Sequence, residues 1–207
     1  MTPAELKAAY RSGTLAKPAY IELMQAAHQA LYGYAEFIKG TGIGRIEIAD
    51  GRIVVVTREP EIRLLVDPAD PRLAAADLLN FDAYEEAETG MLSRLIRRGD
   101  TVLDVGANVG WHAIFLAKRV PGITVHSFEP VPDTYHSLVE HLELNGMAEI
   151  HPHHFGFSKE AGRLSFFLPP ASVNASAANL TGRPDVRRID VEVRRLDDFV
   201  RAEGITP

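Results

Sequence analysis

The sequence predicts an α/β protein built on a Rossmann-like, doubly wound and mostly parallel sheet, preceded by a helix and a β-hairpin. One observation is the alternation of strands and helices with short connections after residue 100, which is typical of parallel βαβ units. Another is the composition: 46% hydrophobic and 24% charged residues in a chain of 207 are typical of a soluble globular protein. The alternation comprises predicted strands at 101–105, 123–128 and 149–157 and predicted helices at 111–119 and 133–145.

The first 40 residues are predicted to be helical. Between residues 18 and 39, apolar side chains recur at spacings of three and four, which places them on one face of a helix that Gly40 ends. Residues 45–57 then alternate and become wholly apolar around Asp50-Gly51, a dipeptide that suits the tight turn of a β-hairpin. A third short strand at 61–66 extends this hairpin into an antiparallel meander.

Two more helices are predicted between the meander and the alternating region, at 72–79 and 84–97. We therefore expect two parts: an N-terminal helical and β-hairpin region over residues 1–80, and an α/β domain over residues 81–207.

Composition and charge exclude several classes of function. The absence of cysteine excludes a disulfide scaffold, a thiolate zinc site and a cysteine nucleophile. The net charge of −6 opposes broad binding to nucleic-acid backbones. No run reaches the ~18 apolar residues of a membrane span, and the N-terminus lacks the basic head and apolar stretch of a signal peptide. We expect a cytoplasmic protein with neither a nucleic-acid nor a membrane partner.

The segment from Asp104 to His112 contains the main candidate site, because it joins the first strand of a βαβ unit to its helix. The small residues Gly106, Asn108 and Gly110 let the backbone turn sharply and approach a ligand. The following helix directs free N–H groups and the positive end of its dipole at that ligand. Asp104 ends the strand and places a carboxylate beside the turn.

Glu129 ends the next strand, in the tripeptide Phe128-Glu129-Pro130. An acidic residue about 20 residues beyond a glycine turn is well placed to accept hydrogen bonds from ribose hydroxyls. Two adjacent strand ends therefore offer a glycine turn and a ribose-binding carboxylate. This pair predicts a cofactor that contains a nucleoside.

The glycine pattern favours one cofactor without excluding another. A dinucleotide fingerprint requires a third glycine, where this sequence has Trp111. The acidic-x-G-x-G-x-G pattern of S-adenosylmethionine sites fits better, with Asn108 in the middle position. Asp104 suits that cofactor because its carboxylate attracts an ammonium and a sulfonium and repels a pyrophosphate. An NAD(P)-dependent oxidoreductase remains the alternative enzyme.

Three motifs together resemble the FkbM family of class I methyltransferases. They are the segment Gly99–Gly110, the tripeptide Phe128-Glu129-Pro130, and the helix end Leu144-Asn145-Gly146. The resemblance covers the chain from about Tyr84 onward. It implies a Rossmann-like sheet, the cofactor S-adenosyl-L-methionine and O-methylation of a small-molecule acceptor such as a sugar, a polyketide or a related metabolite.

The resemblance also implies roles for individual residues. The methionine end of the cofactor is expected on the side chains and glycines of the first motif, and the ribose on Glu129. A looser similarity at 156–162 implies that the adenine lies there. The residues implied at the methionine end are Asp104, Gly106, Asn108 and Gly110.

One departure from the family concerns the C-terminus. Family members continue past a segment like Val191–Val200 into a fourth core strand that pairs with the first, whereas this chain ends at Pro207. We therefore expect a C-terminally incomplete methyltransferase domain whose strand Val102–Val105 presents an uncovered apolar edge, with homo-oligomerisation through that edge. A truncated or non-catalytic binding module is the second alternative.

Several other residues are weaker candidates. His112, in the first turn after the glycines, is a candidate general base or a neighbour of a cofactor carboxylate. Glu85, Glu86 and Glu88 are interpreted as dipole-complementing residues on a solvated face. We expect no metal site at the clustered histidines, since no paired carboxylate has ligand-like spacing. A local basic stretch is interpreted as solvated surface in preference to a site for a phosphate-bearing acceptor. One hypothesis places Asn174 in a loop that borders an acceptor site. The histidines are His151, His153 and His154, and the arginines are Arg183, Arg187, Arg188, Arg194 and Arg195.

Overall fold

The computed structural model describes residues 1–68, 74–168 and 186–206. The chain forms two compact units, Met1–Thr41 and Gly42–Pro207. The meander therefore belongs to the same unit as the α/β region. The expected domain division after residue 80 stays a prediction.

The first unit is a helical hairpin. Helix α1 (Pro3–Arg11) begins with a capping box, in which the Thr2 hydroxyl accepts a hydrogen bond from the Glu5 N–H and the Glu5 carboxylate accepts one from the Thr2 N–H. Helix α2 (Lys17–Phe37) is the predicted helix, shifted by one or two residues at its ends. The rings of Tyr10 and Tyr20 stack with centroids 4.5 Å apart, which joins the two helices.

The meander consists of β1 (Ile43–Ala49), β2 (Arg52–Thr57) and β3 (Arg63–Leu65), all antiparallel, as the sequence predicts. Asp50 and Gly51 have φ angles of 51° and 73°, the left-handed conformation that a two-residue hairpin turn requires. The fully buried side chains of this region include Val55, Val56 and Leu64.

Two helices lead into the α/β region: α3 (Ala74–Phe81) and α4 (Glu86–Leu95). Both predicted helices are present, although the predicted start of the first at residue 72 lies outside the described residues. Between α3 and α4, Asp82 and Glu85 have φ angles of 62° and 46°. These left-handed conformations are unusual for residues with a side chain and separate the two helices.

The central βαβαβ unit has the predicted order and parallel pairing. Its elements are β4 (Thr101–Val105), α5 (Trp111–Arg119), β5 (Thr124–Phe128), α6 (Pro132–Asn145) and β6 (Ile150–His153). The strands lie in the order β4-β5-β6. Among the described residues, no strand pairs with the outer edge of β4. The predicted α/β fold with a parallel sheet is confirmed.

The predicted single strand at 149–157 is wrong, because the chain changes sheets within it. β6 ends at His153, and β7 (Gly156–Phe157) pairs with β9 (Arg187–Arg194), which also pairs with β8 (Gly162–Leu168). The break lies at Phe155, whose buried ring packs 5.5 Å from that of Phe128. Helix α7 (Leu196–Ala202) follows and contributes Phe199 to the same aromatic cluster.

Side chains of α6 complete the hydrogen bonding of β3. The Asn145 amide oxygen accepts from the Arg63 N–H at 2.9 Å, and its nitrogen donates to the Arg63 carbonyl at 2.8 Å. His141, one turn earlier, accepts from the Leu65 N–H through Nε2 at 2.9 Å. The meander is thereby attached to the helix that follows Glu129. In the ranges that the structure describes, each helix is too short or too polar to cross a bilayer.

Candidate functional site

The glycine turn after β4 is hydrogen-bonded to the end of β5. The N–H groups of Gly106 and Ala107 both donate to the Phe128 carbonyl, at 2.9 and 3.0 Å. Gly106 and Gly110 both have a φ angle of 85°, and Asn108 has 51°, so the left-handed conformations expected from the sequence are present. The two strand ends predicted to form the site are therefore adjacent.

The two glycines differ in what surrounds them. A Cβ on Gly110 would lie 2.6 Å from Cδ1 of the buried Leu138, so the contact between the turn and α6 would have to shift to admit a side chain. A Cβ on Gly106 would meet no atom within 4 Å. The open space at Gly106 is what a close approach of ligand to backbone requires.

Glu129 joins the two strand ends through its side chain. Its Oε2 accepts from the Asn108 N–H at 3.1 Å and its Oε1 from the Val131 N–H at 2.8 Å, while the residue is only 6% exposed. Burial raises the pKa of the Glu129 carboxyl and the two N–H donors lower it. Glu129 therefore fixes the glycine turn, and each oxygen retains a lone pair for a further donor.

Asp104 places one buried carboxylate oxygen beside the turn. Its Oδ2 is shielded from solvent and has no hydrogen-bond partner among the described residues. Burial raises the pKa of the Asp104 carboxyl, His112 lowers it, and Glu85 raises it. Oδ1 of Asn108 and Nε1 of Trp111 are likewise buried without a partner in the described part of the chain. A bound ligand or water would supply the missing partners of these polar atoms around the glycine turn.

The His112 side chain lies close to that of Glu85, which the sequence analysis interpreted as part of a solvated helix face. Its Nε2 lies 3.1 Å from Oε2 of Glu85, and the two side chains are 29% and 42% exposed. Glu85, Glu86 and Glu88 are all exposed, as expected. Glu85 was missed because its contact depends on a left-handed backbone between two helices and on a partner 27 positions along the chain.

The clustered histidines form an aromatic contact surface. Nδ1 of His126 and Nε2 of His153 are 3.0 Å apart, and the ring of Phe199 packs edge-on against both. Burial is the main cause of a lowered pKa at both histidines, to about 4 for His153. His154 stacks instead on Tyr135. Within the described ranges, no group of three or more potential ligands could hold a metal ion.

The basic stretch is largely paired with acidic side chains. Arg187 pairs with Asp133 at 3.4 Å, and Arg194 and Arg195 pair with residues of their own segment. Arg188 donates to the Ser165 hydroxyl. These contacts agree with a solvated surface and do not favour a phosphate site. Arg183 and Asn174 lie outside the described residues.

The segment 156–162, which was expected beside the adenine, starts close to Glu129, the residue expected to bind the ribose. A Cβ on Gly156 would lie 3.4 Å from ring atoms of Pro130, the residue after Glu129. β7 therefore lies against the end of β5, and no ligand contact follows from this geometry alone.

The chain was compared with protein families, curated proteins and solved structures. Residues 104–207 match the family model of the methyltransferase FkbM domain. The 31-O-demethyl-FK506 methyltransferase FkbM of Streptomyces tacrolimicus is 49% identical over 53% of this chain and 53% of that protein. Methyltransferase sdnD of Sordaria araneosa is 25% identical over 63% of each. A crystal structure of TYW2 from P. horikoshii in complex with MeSAdo shares 22% identity, covers 65% of this chain and 50% of that chain, and has a TM-score of 0.39.

This chain spans about half the length of the curated relatives that it matches. The family match begins at Asp104 and includes the whole glycine turn and Glu129, and it extends over half of the chain. The chain belongs to the FkbM methyltransferase family.

Proposed function

We propose that this chain is the cofactor-binding part of an S-adenosylmethionine-dependent methyltransferase that methylates an oxygen of a small-molecule acceptor. The observation that carries the proposal is the buried Oδ2 of Asp104, which has no hydrogen-bond partner among the described residues, beside a glycine turn that Glu129 holds in place. An anionic site of this kind is complementary to a cofactor with a positive charge. Family membership supports methyl transfer as the reaction.

The residues present fit that cofactor. The Asp104 carboxylate attracts an ammonium and a sulfonium, and a positive ligand would relieve the unfavourable burial of its charge. The free lone pairs of the Glu129 oxygens are available to ribose hydroxyls. Trp111 is 7% exposed and packs between Tyr84 and Phe115, so the position of a third dinucleotide glycine is filled by an indole. This packing disfavours the NAD(P) alternative.

The contribution of the chain to catalysis is positioning. When bound, S-adenosylmethionine supplies a methyl group that its sulfonium makes electrophilic. Gly106 permits close contact with the backbone, Glu129 orients the ribose, and Asp104 orients the charged end. Fixing the donor in this way reduces the entropy that the displacement step would otherwise lose.

The acceptor class is proposed from relatedness. The Streptomyces tacrolimicus relative is named as the methyltransferase of 31-O-demethyl-FK506, which supports an oxygen acceptor on a metabolite. Since the described arginines of the basic stretch are mostly paired with acidic residues, an uncharged acceptor such as a sugar or polyketide hydroxyl fits better than a phosphorylated one.

Calorimetric titration with S-adenosylhomocysteine tests the cofactor class. We expect a Kd on the order of micromolar, weakened at least tenfold in Glu129→Ala, and no heat with NAD. A folded, monodisperse wild-type chain that binds NAD but not S-adenosylhomocysteine would refute the proposal.

A second candidate function is a binding module without turnover. It is favoured by the outer edge of β4, which no strand covers among the described residues. Incubation with S-adenosylmethionine and a panel of hydroxylated metabolites separates the two candidates. Micromolar binding with no methylated product would favour the module.

A further inference from the structure

Helix α2 carries more apolar surface than its own unit covers. In Met1–Thr41, which the structure describes in full, no residue of α2 is buried. Six of its large apolar side chains are between 39% and 56% exposed. They are Ile21, Leu23, Leu31, Tyr32, Tyr34 and Phe37.

The short first helix accounts for this exposure. α1 has 9 residues and α2 has 21, so at a rise of 1.5 Å per residue they are about 14 Å and about 32 Å long. The stack of Tyr10 on Tyr20 places α1 against the N-terminal half of α2. From about Ala27 onward, α2 therefore has no other helix of its own unit beside it.

The apolar side chains of α2 include a seam with the spacing of a coiled coil. Five residues follow one another at intervals of four, three, four and three, as the a and d positions of a heptad repeat do. Further large apolar side chains flank this seam on both sides, as in a helix that packs within a bundle. The seam consists of Tyr20, Met24, Ala27, Leu31 and Tyr34, and the flanking residues include Ile21, Leu23 and Phe37.

The acidic side chains of α2 lie on the face opposite the seam. Glu22, Gln29 and Glu36 are seven residues apart and, at about 100° per residue, point away from the seam. Two copies of α2 can therefore join along their seams while their glutamates stay apart. These glutamates also disfavour an anionic membrane as the occupant, because helices that bind such membranes carry Lys and Arg on the polar face.

The exposed apolar area of α2 suits an interface between two chains. With about 200 Å² for each large side chain, the six half-exposed side chains leave about 600 Å² per chain, at the upper end of what a monomer exposes in one patch. Joining two such surfaces buries at most about 1,200 Å², which is the lower limit for stable interfaces.

We propose that the seam of α2 is a dimer interface whose partner is the same seam of a second copy of this chain. Two helical hairpins then form a four-helix bundle around a two-fold axis. The contact uses residues of the first unit and none of β4.

The test measures self-association by analytical ultracentrifugation in the Val105→Lys background, where a charge on the open edge of β4 opposes association there. Leu31→Lys and Tyr34→Lys add a charge to the seam at exposed positions. Gln29→Lys adds the same charge to the opposite, exposed face and is the matched control.

We expect the background variant to dimerise with a Kd on the order of 10 μM. The Kd should rise at least about tenfold in both seam variants and stay within about twofold in Gln29→Lys. A background variant that stays monomeric at about 200 μM, well above the expected Kd, overturns the proposal. Equal effects of the three lysines overturn it as well.

Cross-linking locates the contact independently. Because the chain contains no cysteine, an introduced thiol can pair only with its own copy. Leu31 is the seam residue nearest the middle of the uncovered half of α2, so a two-fold axis brings its two copies together whether the helices run parallel or antiparallel. Oxidation is expected to join Leu31→Cys into a disulfide-linked dimer and to leave Gln29→Cys unlinked. Equal cross-linking of the two variants, or none in a folded Leu31→Cys chain, would place the contact elsewhere and overturn the assignment.

Discussion

At the scale of single residues, the carboxylate of Asp104, which we propose to bind the cofactor, also destabilises the ligand-free folded chain. Its carboxyl is buried and its pKa is raised by that burial. We expect Asp104→Asn to stabilise the ligand-free protein by about 1 kcal/mol, because it removes a buried unpaired charge, and to weaken S-adenosylhomocysteine binding. Thermal unfolding with and without ligand measures both effects, with Glu88→Gln as the exposed control.

The pH dependence of this effect has a definite sign. Because the folded pKa of Asp104 lies above its unfolded value, the folded state binds more protons between the two values, and its stability falls as pH rises through that window. The gain from Asp104→Asn should therefore be present at pH 7 and disappear in acid below both values. A gain that persisted unchanged in acid would contradict the explanation by charge.

Gly106 and Gly110 offer a matched pair with equal backbone angles. Both have a φ of 85°, but only at Gly110 would a Cβ meet a neighbour, Leu138, at 2.6 Å. We expect Gly106→Ala to destabilise by about 1–2 kcal/mol from backbone strain alone. Gly110→Ala should lose about 1–3 kcal/mol more, because the helix contact must also shift. Urea unfolding distinguishes them, and equal losses would mean that Leu138 moves freely.

At the scale of elements, local pattern predicted the helices and parallel strands because each has its own apolar period. The turn from Asp104 to Gly110 and the position of Glu129 were predictable for the same reason, since both lie at strand ends. The break at Phe155 was not, because which sheet a short strand joins depends on its tertiary partners and not on its local sequence. Nor was the contact between Glu85 and His112, which depends on tertiary packing.

The attachment of α6 to β3 is a second element-scale feature that sequence pattern does not reveal. Asn145 both accepts from and donates to the backbone of Arg63. We expect Asn145→Ala to destabilise by about 2 kcal/mol, since it leaves a partly buried strand edge without these bonds. Asn145→Asp keeps the acceptor and should lie between wild type and Asn145→Ala. Hydrogen exchange at the Arg63 amide reports whether this edge opens.

The histidine pair between β5 and β6 predicts acid sensitivity. Burial lowers the pKa of His153 from 6.5 to about 4. Between these values the unfolded chain binds more protons than the folded chain, so stability falls as pH decreases through the window. We expect His153→Phe to flatten the loss of thermal stability between pH 6.5 and 4. His154→Phe, which replaces a histidine that is stacked on Tyr135 and lies outside this pair, is the control.

At the scale of the whole molecule, the open edge of β4 is also where we expect one chain to meet another in solution. Among the described residues no strand pairs with this edge, and Val105 is 56% exposed there. An unpaired apolar strand edge favours association with another chain. We therefore expect the mass measured by analytical ultracentrifugation to rise with protein concentration.

Charge placed at the edge should suppress this association. Val105→Lys is expected to raise the protein concentration at which chains associate through this edge by about tenfold, because an edge lysine opposes strand pairing. The fold should be kept, since the Val105 side chain is already exposed. Ile48→Lys is the matched control, since Ile48 is 63% exposed and lies on β1 in the meander. If both variants reduce association equally, general surface hydrophobicity and not the β4 edge is its cause. If wild type stays monomeric at all concentrations, the edge does not mediate association between copies of this chain.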